Sequence, residues 1–395
     1  MNSSADPQYW IYRLNPLYEF IQAEALAVAP VRGYEVAVVQ FIGDCPALLL
    51  PRSSQGTVKG LYSQSASLCQ ALQSSRRLID ALPQTGIREV LSQVATLVSD
   101  QILEVWLEGA FRSGPAAAAR VYPVIRRTSQ GPLAALSYEA VKYAQNLDSD
   151  DASLLSRRMY LYNRHPMTPA WARAYEACGS TIEFLGLCQP AITRALDQRF
   201  RLTSGHQPDS HWLIWRRTDA VAASISPVAA KLYVNIDSRD LRACASDAVT
   251  ALGESRAKAF KLGNSAHGLV RSDKLVAYFT CFDDLLQAAD DVRRRLHGCG
   301  VQGTPFTAAI TSDGLMSWGI DALEKQTEFA ESHGRSWRLW VTNCLAIALC
   351  TSRNPATAPA QPPWELALDR LTREGIDTAT WLPKEALDEM HASTR

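Results

Sequence analysis

The clearest alternation of polar and apolar positions in the chain lies at residues 230–237, which read AKLYVNID. Successive side chains of a β-strand point to opposite faces of the sheet. The pattern therefore predicts a strand with Lys231, Tyr233 and Asn235 on one face and three aliphatic side chains on the other. The aliphatic face is typical of a core, and the polar face is free for chemistry.

The segments that follow this strand predict a β-α-β-β-α-β order. Two stretches have helical spacing, and three have the β-branched and aromatic content of strands. The helices are Asp240–Gly253 and Phe282–Leu296, and the strands are Ala259–Gly263, Lys274–Thr280 and Thr304–Thr311. In such a unit, two helices cover one face of a sheet. We expect the opposite face to receive a substrate.

The first half of the chain predicts mainly helices, at Leu14–Val28, Gly60–Leu82 and Ile87–Phe111, with a short apolar run at Tyr34–Phe41 that fits a strand. Breaks rich in Gly, Pro and polar residues indicate seams between domains. The expected class is α+β: a helical N-terminal region, then the β-α-β-β-α-β sheet domain and C-terminal helices. The predicted ranges are 1–205 for a scaffold or peptide-docking region, 206–353 for the sheet domain, and 364–395 for a helical segment after a Pro-rich linker.

Composition narrows the classes of function. Forty basic residues balance forty acidic ones, so the chain lacks the overall positive charge that gathers nucleic acids, and an anionic ligand must meet a local patch. Nine cysteines without CxxC spacing argue against a zinc module and a secreted disulfide framework. The sequence predicts neither a signal peptide nor a membrane span. We expect a cytoplasmic protein that binds neither nucleic acid nor membrane.

Lysines inside the predicted strands are the most unusual candidates for chemistry. Lys231 and Lys261 each interrupt an apolar strand, where lysine is disfavoured. Taken singly, each fits an edge-strand lysine that reaches water. Together with Tyr233, Arg271 and Lys274, they predict a cationic cluster on one sheet face, suited to a phosphate or another anion. Burial and neighbouring cations favour a neutral amine, and a neutral lysine can act as a base.

Other polar motifs favour ordinary structural roles. His267, in the polar turn NSAHG, is predicted to be a solvated loop histidine. The segment Asn163–Pro166 is predicted to be a turn between a strand and a helix, and Arg335 and Arg338 lie on a predicted helix from which they could reach an anion. Nucleotide-binding GxxxxGK[ST] and GxGxxG loops, HExxH, GxSxG and the HRDxxxxN loop of kinases do not occur.

The ordered segments KLYVN, AFKLG, LVRSDKLVAYF, GTPFTA and DGLMSWGID resemble the HopA type III effector family. Members found in bacterial peptide-modification clusters look like the lyases of class V lanthipeptide and thioamitide pathways. More distantly, the order is similar to phosphothreonine lyases and to the lyase domains of lanthipeptide synthetases. The resemblance covers residues 229–350, and we expect RRMYLYNRHPMTPAW at Arg157–Trp171 to continue it.

This resemblance implies a β-elimination that removes phosphate from phosphoserine or phosphothreonine in a precursor peptide and leaves dehydroalanine or dehydrobutyrine. Lys261 matches the family's base, and Lys231 and Arg271 match phosphate-binding positions. Tyr233 stands where phosphothreonine lyases carry a histidine general acid. Either the surrounding cations lower the pKa of this phenol, or another group, such as Lys231, protonates the leaving oxygen. Further expected phosphate contacts are Lys274, Tyr278 and Arg338.

The expected reaction needs neither a metal nor an organic cofactor. It does need a kinase, and because this sequence has no kinase motif, we expect a separate Ser/Thr peptide kinase that can form a complex with this bacterial protein. Two alternatives stay open: a non-catalytic, effector-like or scaffold protein that binds a phosphopeptide or the kinase, and an enzyme acting on a small anionic substrate.

Overall fold

The structure is a computed structural model of the 395-residue chain. It describes residues 6–22, 45–53, 58–61, 63–82, 87–126, 131–204, 211–218, 230–321, 336–353, 361–384 and 386. The predicted strand at Tyr34–Phe41 lies outside these ranges. The chain forms two compact units, one made of 1–126 and 344–375 and the other of 127–343 and 376–395.

The first unit combines strands and helices. Its elements are β1 (Ile11–Leu14), β2 (Tyr18–Gln22), β3 (Ala47–Pro51), β4 (Lys59–Leu61), α1 (Ser63–Ala71), β5 (Arg76–Arg77), α2 (Leu78–Ala81), α3 (Ile87–Ser99), β6 (Leu103–Leu107), β7 (Ala110–Arg112), α4 (Pro115–Val121) and α14 (Pro363–Arg373). One sheet has the order β5-β1-β6-β7 and another β2-β3-β4. Tyr12, Leu103 and Val105 are fully buried between the first sheet and the helices.

The second unit holds the predicted sheet domain together with the helices that precede it. Its elements are α5 (Pro132–Gln145), α6 (Ala152–Tyr160), α7 (Pro169–Glu176), α8 (Thr181–Phe184), α9 (Pro190–Asp197), β8 (Phe200–Ser204), β9 (Trp212–Arg217), β10 (Ala230–Val234), α10 (Leu241–Glu254), β11 (Ala259–Gly263), α11 (Ala266–Leu269), β12 (Leu275–Phe279), α12 (Phe282–Arg295), β13 (Ala308–Ala309), β14 (Met316–Gly319), β15 (Ile376–Asp377) and β16 (Leu382–Pro383). Helix α13 (Trp337–Ser352) runs across the boundary at residue 343.

The main sheet has seven strands in the order β13-β14-β10-β12-β11-β9-β8, and all its pairs are antiparallel. Helix α12 packs on β10 and β12 and against α10. Leu232, Phe260 and Ala277 are fully buried on this side of the sheet, where Trp215 stacks on Phe260 with ring centroids 5.0 Å apart. The apolar half of the alternation therefore forms the core.

The α+β class is confirmed, and the β-α-β-β-α-β order appears in the second unit with a small helix, α11, between β11 and β12. The predicted fourth strand, Thr304–Thr311, is shorter: only Ala308–Ala309 pairs, and β14 is added after it. The division by contacts differs from the predicted ranges 1–205, 206–353 and 364–395, because helices α5 to α9 belong to the same unit as the sheet.

Three predicted N-terminal helices are corrected by the structure. The described part of Leu14–Val28 contains strand β2, and Gly60–Leu82 contains α1, the short strand β5 and α2. The stretch Ile87–Phe111 is helical only as far as Ser99. Gln101 then adopts a positive φ of 61°, which ends the helix and turns the chain into β6 and β7.

One disulfide, Cys244–Cys299, joins α10 to the loop after α12. Its cysteines are 55 residues apart, and the cysteine spacing did not predict this pair. Since disulfides are rare in reducing compartments, the pair does not support the expected cytoplasmic location. Across the described part of the chain, no helix combines the length and apolar character needed to cross a membrane.

Candidate functional site

Strand register brings the predicted lysines to one face of the main sheet. Lys231 on β10 lies opposite Tyr278 on β12, and Tyr233 lies opposite Val276. On the other side of β12, Lys261 of β11 also pairs with Val276. Cross-strand partners share a face. Lys231, Tyr233, Tyr278 and Lys261 are therefore on the same side of the sheet, although 30 positions of sequence separate the two lysines.

Aromatic rings alternate with the cations on this face. The ring centroid of Tyr278 is 5.5 Å from the Lys231 Nζ and 5.7 Å from the Lys261 Nζ. The centroid of Trp212, on β9, is 4.3 Å from the Lys261 Nζ and 5.3 Å from the guanidinium carbon of Arg271. We call these five residues the cation–aromatic row. Three of the four cations predicted to serve one site, Lys231, Lys261 and Arg271, are thus neighbours in space.

A buried carboxylate fixes one end of the row. Asp273 accepts two hydrogen bonds from Arg271, at 2.7 and 2.9 Å, one from Arg338 at 3.0 Å and one from the Tyr160 hydroxyl at 3.1 Å. Burial alone would raise the pKa of Asp273, but Arg338 and Arg271 outweigh it and hold the pKa below its usual range. Burial lowers the pKa of Arg271, but its hydrogen bonds with Asp273 reverse this, so both groups stay charged.

The other end of the row is also paired. Lys231 donates a hydrogen bond to Asp321, which follows β14. The Lys231 side chain is 10% exposed and that of Asp321 25%. An anion that binds Lys231 must therefore compete with this carboxylate, a partner that the sequence analysis did not identify.

Lys261 occupies the middle of the row and is half-buried. None of the described residues accepts a hydrogen bond from its amine. Burial lowers the pKa of Lys261 to about 8, with further lowering by Lys231 and Arg271 and opposing effects of Asp273 and Asp321. At pH 7 about a tenth of the molecules would carry the neutral amine. The predicted cause and direction of this shift agree with the structure.

The pKa of Tyr233 bears on one of the two alternatives for the general acid, namely that the surrounding cations make this phenol more acidic. Its side chain is buried, and burial raises the pKa of Tyr233 well above its usual value, although Arg338 acts in the opposite direction. The phenol is therefore a weaker acid than free tyrosine. This geometry does not favour Tyr233 over Lys231 as the group that protonates a leaving oxygen.

Two of the predicted phosphate contacts, Lys274 and Arg338, instead form hydrogen bonds within the protein. The fully buried amine of Lys274 donates to the Ile236 carbonyl at 2.7 Å and to Gln302 Oε1 at 2.6 Å, and burial lowers the pKa of Lys274 to about 7. Arg338 is 1% exposed and donates to Asp273, to the Pro305 carbonyl and to the Tyr160 carbonyl. Both side chains support the site from within. Of the other predicted contacts, Arg271 and Tyr278 are partly exposed, and Lys231 is largely buried beside Asp321.

His267 lies on the short helix α11, and not in a loop as predicted, next to the predicted turn at 163–166. His267 is exposed, as predicted, and its Nδ1 is 2.7 Å from an Arg164 guanidinium nitrogen. The segment 163–166 connects two helices, α6 and α7, and not a strand and a helix as predicted. His165 donates its backbone N–H to the Val270 carbonyl at 3.0 Å, which attaches this segment next to Arg271.

Four residues of the site were not singled out from the sequence. Asp273 lies two positions after Arg271, and this spacing allows a bidentate ion pair. The spacing was the only sequence feature that could have identified Asp273. Trp212 and Asp321 mark the ends of strands whose pairing partners are distant in sequence. Tyr160 is on α6, more than 100 positions before Asp273, and no local pattern connects them. Among the described residues, no three His, Cys, Asp or Glu side chains form a group that could hold a metal ion.

No protein-family model and no curated protein matches the sequence. Two solved structures resemble the chain at low identity. One is an effector protein from Pseudomonas syringae pv. tomato strain DC3000, with 15% identity over 63% of this chain and 98% of that one, at a TM-score of 0.38. The other is an effector protein from Pseudomonas syringae pv. syringae strain 61, with 13% identity over 64% and 98%, at a TM-score of 0.39. Likeness at this level establishes no activity.

Proposed function

We propose that the protein is a phosphoserine or phosphothreonine lyase that eliminates phosphate from a phosphorylated precursor peptide of the lanthipeptide or thioamitide type. The observation that supports this proposal is the position of Lys261, an amine with a lowered pKa, between two cations on one sheet face. A base and an anion-binding pair are the two requirements of such an elimination.

In the proposed reaction, the neutral amine of Lys261 takes the α-proton of the phosphorylated residue. The electron pair of the Cα–H bond forms the Cα–Cβ double bond, and the Cβ–O bond breaks with its electrons on the departing phosphate. Lys231 protonates that phosphate and regains a proton from water, and Lys261 returns its proton to water. Arg271 and Lys231 offset the charge that grows on the leaving oxygen.

Asp321 must yield its place on Lys231 when the substrate phosphate binds. A phosphate dianion carries more charge than a carboxylate and offers three acceptor oxygens, so it can replace Asp321 on the lysine. Asp273 occupies the Nε and one terminal nitrogen of Arg271, so phosphate would bind the other terminal nitrogen, beside the Tyr160 hydroxyl. The precursor is phosphorylated, on this proposal, by a separate Ser/Thr peptide kinase.

The test is incubation of the protein with a synthetic phosphothreonine peptide, followed by mass spectrometry. Loss of phosphoric acid from the peptide is the expected result, and Lys261→Ala is expected to reduce the rate by a factor of about 100 or more. Lys258→Ala is the matched control, because Lys258 directly precedes the same strand and lies outside the row. Equal rates for the two variants would remove Lys261 from its role.

A second candidate is a protein that binds a phosphopeptide without turnover. The raised pKa of the buried Tyr233 phenol favours it, because a poor acid stands where a catalytic one is expected. Such a protein would bind the phosphopeptide and leave its mass unchanged. Binding that is lost in Arg271→Ala, without any loss of phosphate from the peptide, would support this candidate over the lyase.

A further inference from the structure

We propose that Trp212 is a positioning residue that holds the Lys261 ammonium against its indole ring and thereby sets how readily Lys261 gives up its proton. Tyr278 supplies a second, more distant ring on the other side. The two rings thus act on the proposed base through their faces and not through hydrogen bonds. The inference depends on the proposed function only for its catalytic consequence.

The local backbone explains how an indole can reach Lys261. On β9 and β11, Trp212 pairs with Gly263, and Ile214 pairs with Lys261, so the β11 residue opposite Trp212 is a glycine. Gly263 cannot be larger, because an added Cβ would lie 2.7 Å from the backbone carbon of Gly268 and 2.8 Å from its oxygen. Because Gly263 has no side chain, the indole of Trp212 can extend across it to Lys261, two positions earlier on β11.

The distances agree with an attraction between a cation and a ring face. The Lys261 Nζ is 4.3 Å from the Trp212 centroid, within the usual 6 Å limit, and tryptophan is the strongest partner among aromatic side chains. Arg271 contacts the same ring at 5.3 Å. Lys261 and Arg271 are therefore both close to the same indole ring.

The ring and the surrounding charges act on Lys261 in different directions. Burial and like charges favour the neutral amine, whereas a ring face favours the ammonium. The charged or titratable groups that face Lys261 come from β10, the turn after α11, β12 and the end of β14: Lys231, Arg271, Asp273, Tyr278 and Asp321. Removing the Trp212 ring while keeping an apolar side chain there should therefore make Lys261 lose its proton more readily.

The experiment follows the Cε resonance of ¹³C-labelled lysine with pH in the full-length protein, without substrate, and Lys261→Arg assigns the signal. In Trp212→Leu, the midpoint for Lys261 should fall by about half a unit to one unit. In Trp212→Phe it should fall less, because phenylalanine keeps a weaker ring. Trp106→Leu, which removes a partly exposed tryptophan of the other compact unit, should leave the midpoint unchanged.

A midpoint that stays constant or rises in Trp212→Leu would overturn the inference, because the indole would then contribute only burial. If Trp212→Leu does not fold, Trp212→Phe is the test. A midpoint for Lys261 that stays constant or rises in Trp212→Phe would then overturn the inference. The titration needs no turnover, so it stands even if the phosphopeptide remains intact and the proposed function fails. If elimination does occur, the pH profile of Trp212→Leu should move to lower pH by the same amount, whereas a purely structural role would lower the rate at every pH.

Discussion

Replacing Asp273 with asparagine is the substitution whose effect on the site can be worked out most fully. The carboxylate receives both Arg271 hydrogen bonds, one from Arg338 and one from Tyr160. An asparagine of the same shape has one acceptor oxygen and would turn its amide N–H groups toward a guanidinium. Two arginines would then share one neutral partner.

The cost follows from burial. Arg338 is 1% exposed and the Asp273 side chain 8%, so the lost charge cannot be replaced by water. Removing one partner of a buried ion pair typically costs about 3 to 5 kcal/mol. We expect Asp273→Asn to reduce the free energy of unfolding by an amount in this range. Arg271, no longer held by the carboxylate, should also lose its place beside Trp212.

Asp237→Asn is the matched control. Asp237 also accepts two hydrogen bonds from an arginine two positions away, Arg239, at 3.0 and 2.8 Å. The Arg239 side chain, however, is 82% exposed. The Asp237 carboxylate is about as buried as that of Asp273, but its arginine partner lies in solvent, so breaking this pair should cost less than breaking the Asp273 pair. Urea unfolding followed by circular dichroism measures both variants. Equal losses of stability would refute the reasoning that burial makes the Asp273 pair costly to break.

Acid adds a second readout for Asp273. Its folded pKa lies below that of an unfolded aspartate, so its stabilisation is complete above about pH 4 and is lost as the pH falls toward the folded pKa. Asparagine does not titrate, so the difference in stability between the native protein and Asp273→Asn should shrink below about pH 4. A difference that stays constant down to about pH 2 would mean that the carboxylate is not the source of the stabilisation.

Two further substitutions test the frame of the site. Gly263→Ala should destabilise the fold by more than about 2 kcal/mol in thermal unfolding, because its Cβ would meet the Gly268 backbone. The control Gly253→Ala should have a much smaller effect, because its Cβ would meet only the flexible end of the Leu196 side chain. A larger loss of stability in Gly253→Ala than in Gly263→Ala would contradict this reasoning. Asp321→Asn should bind inorganic phosphate several-fold more tightly in calorimetry, because the Asp321 carboxylate no longer competes with phosphate for Lys231. Weaker binding would show that Asp321 does not compete for that amine.

Much of the sheet could be predicted because one strand has a strict alternation. The order of polar and apolar positions from 230 to 237 indicates a strand, and the structure has β10 there with Leu232 and Val234 fully buried. Lys231, Tyr233 and Asn235 are buried as well, so the polar face of this strand is not as open as the alternation predicted. Lys261 could be assigned to a strand in the same way. That Lys231 and Lys261 share a face depends on the register of each with β12, which no single segment determines.

The N-terminal half was less predictable, because short apolar runs do not distinguish helix from strand. The run from 87 to 111 has helical spacing at its start, and its change of structure after Ser99 depends on the positive φ of Gln101, a residue without a turn preference as strong as that of glycine. The internal partners of the site are equally non-local. Arg338 and Tyr160 meet Asp273 only in the folded unit, so the sequence could not show that Arg338 is a buried support.

The central claim is that a neutral amine at Lys261 removes the α-proton, and the pH dependence of elimination tests it most directly. The single-turnover rate on a phosphothreonine peptide should rise about tenfold per pH unit below about 8 and level off above it, because the pKa of Lys261 is lowered to about 8. Substrate ionisation does not obscure this rise, since the second pKa of phosphate is about 6. A rate that is constant between about pH 7 and 9, or that falls as the pH rises, would contradict Lys261 as the base.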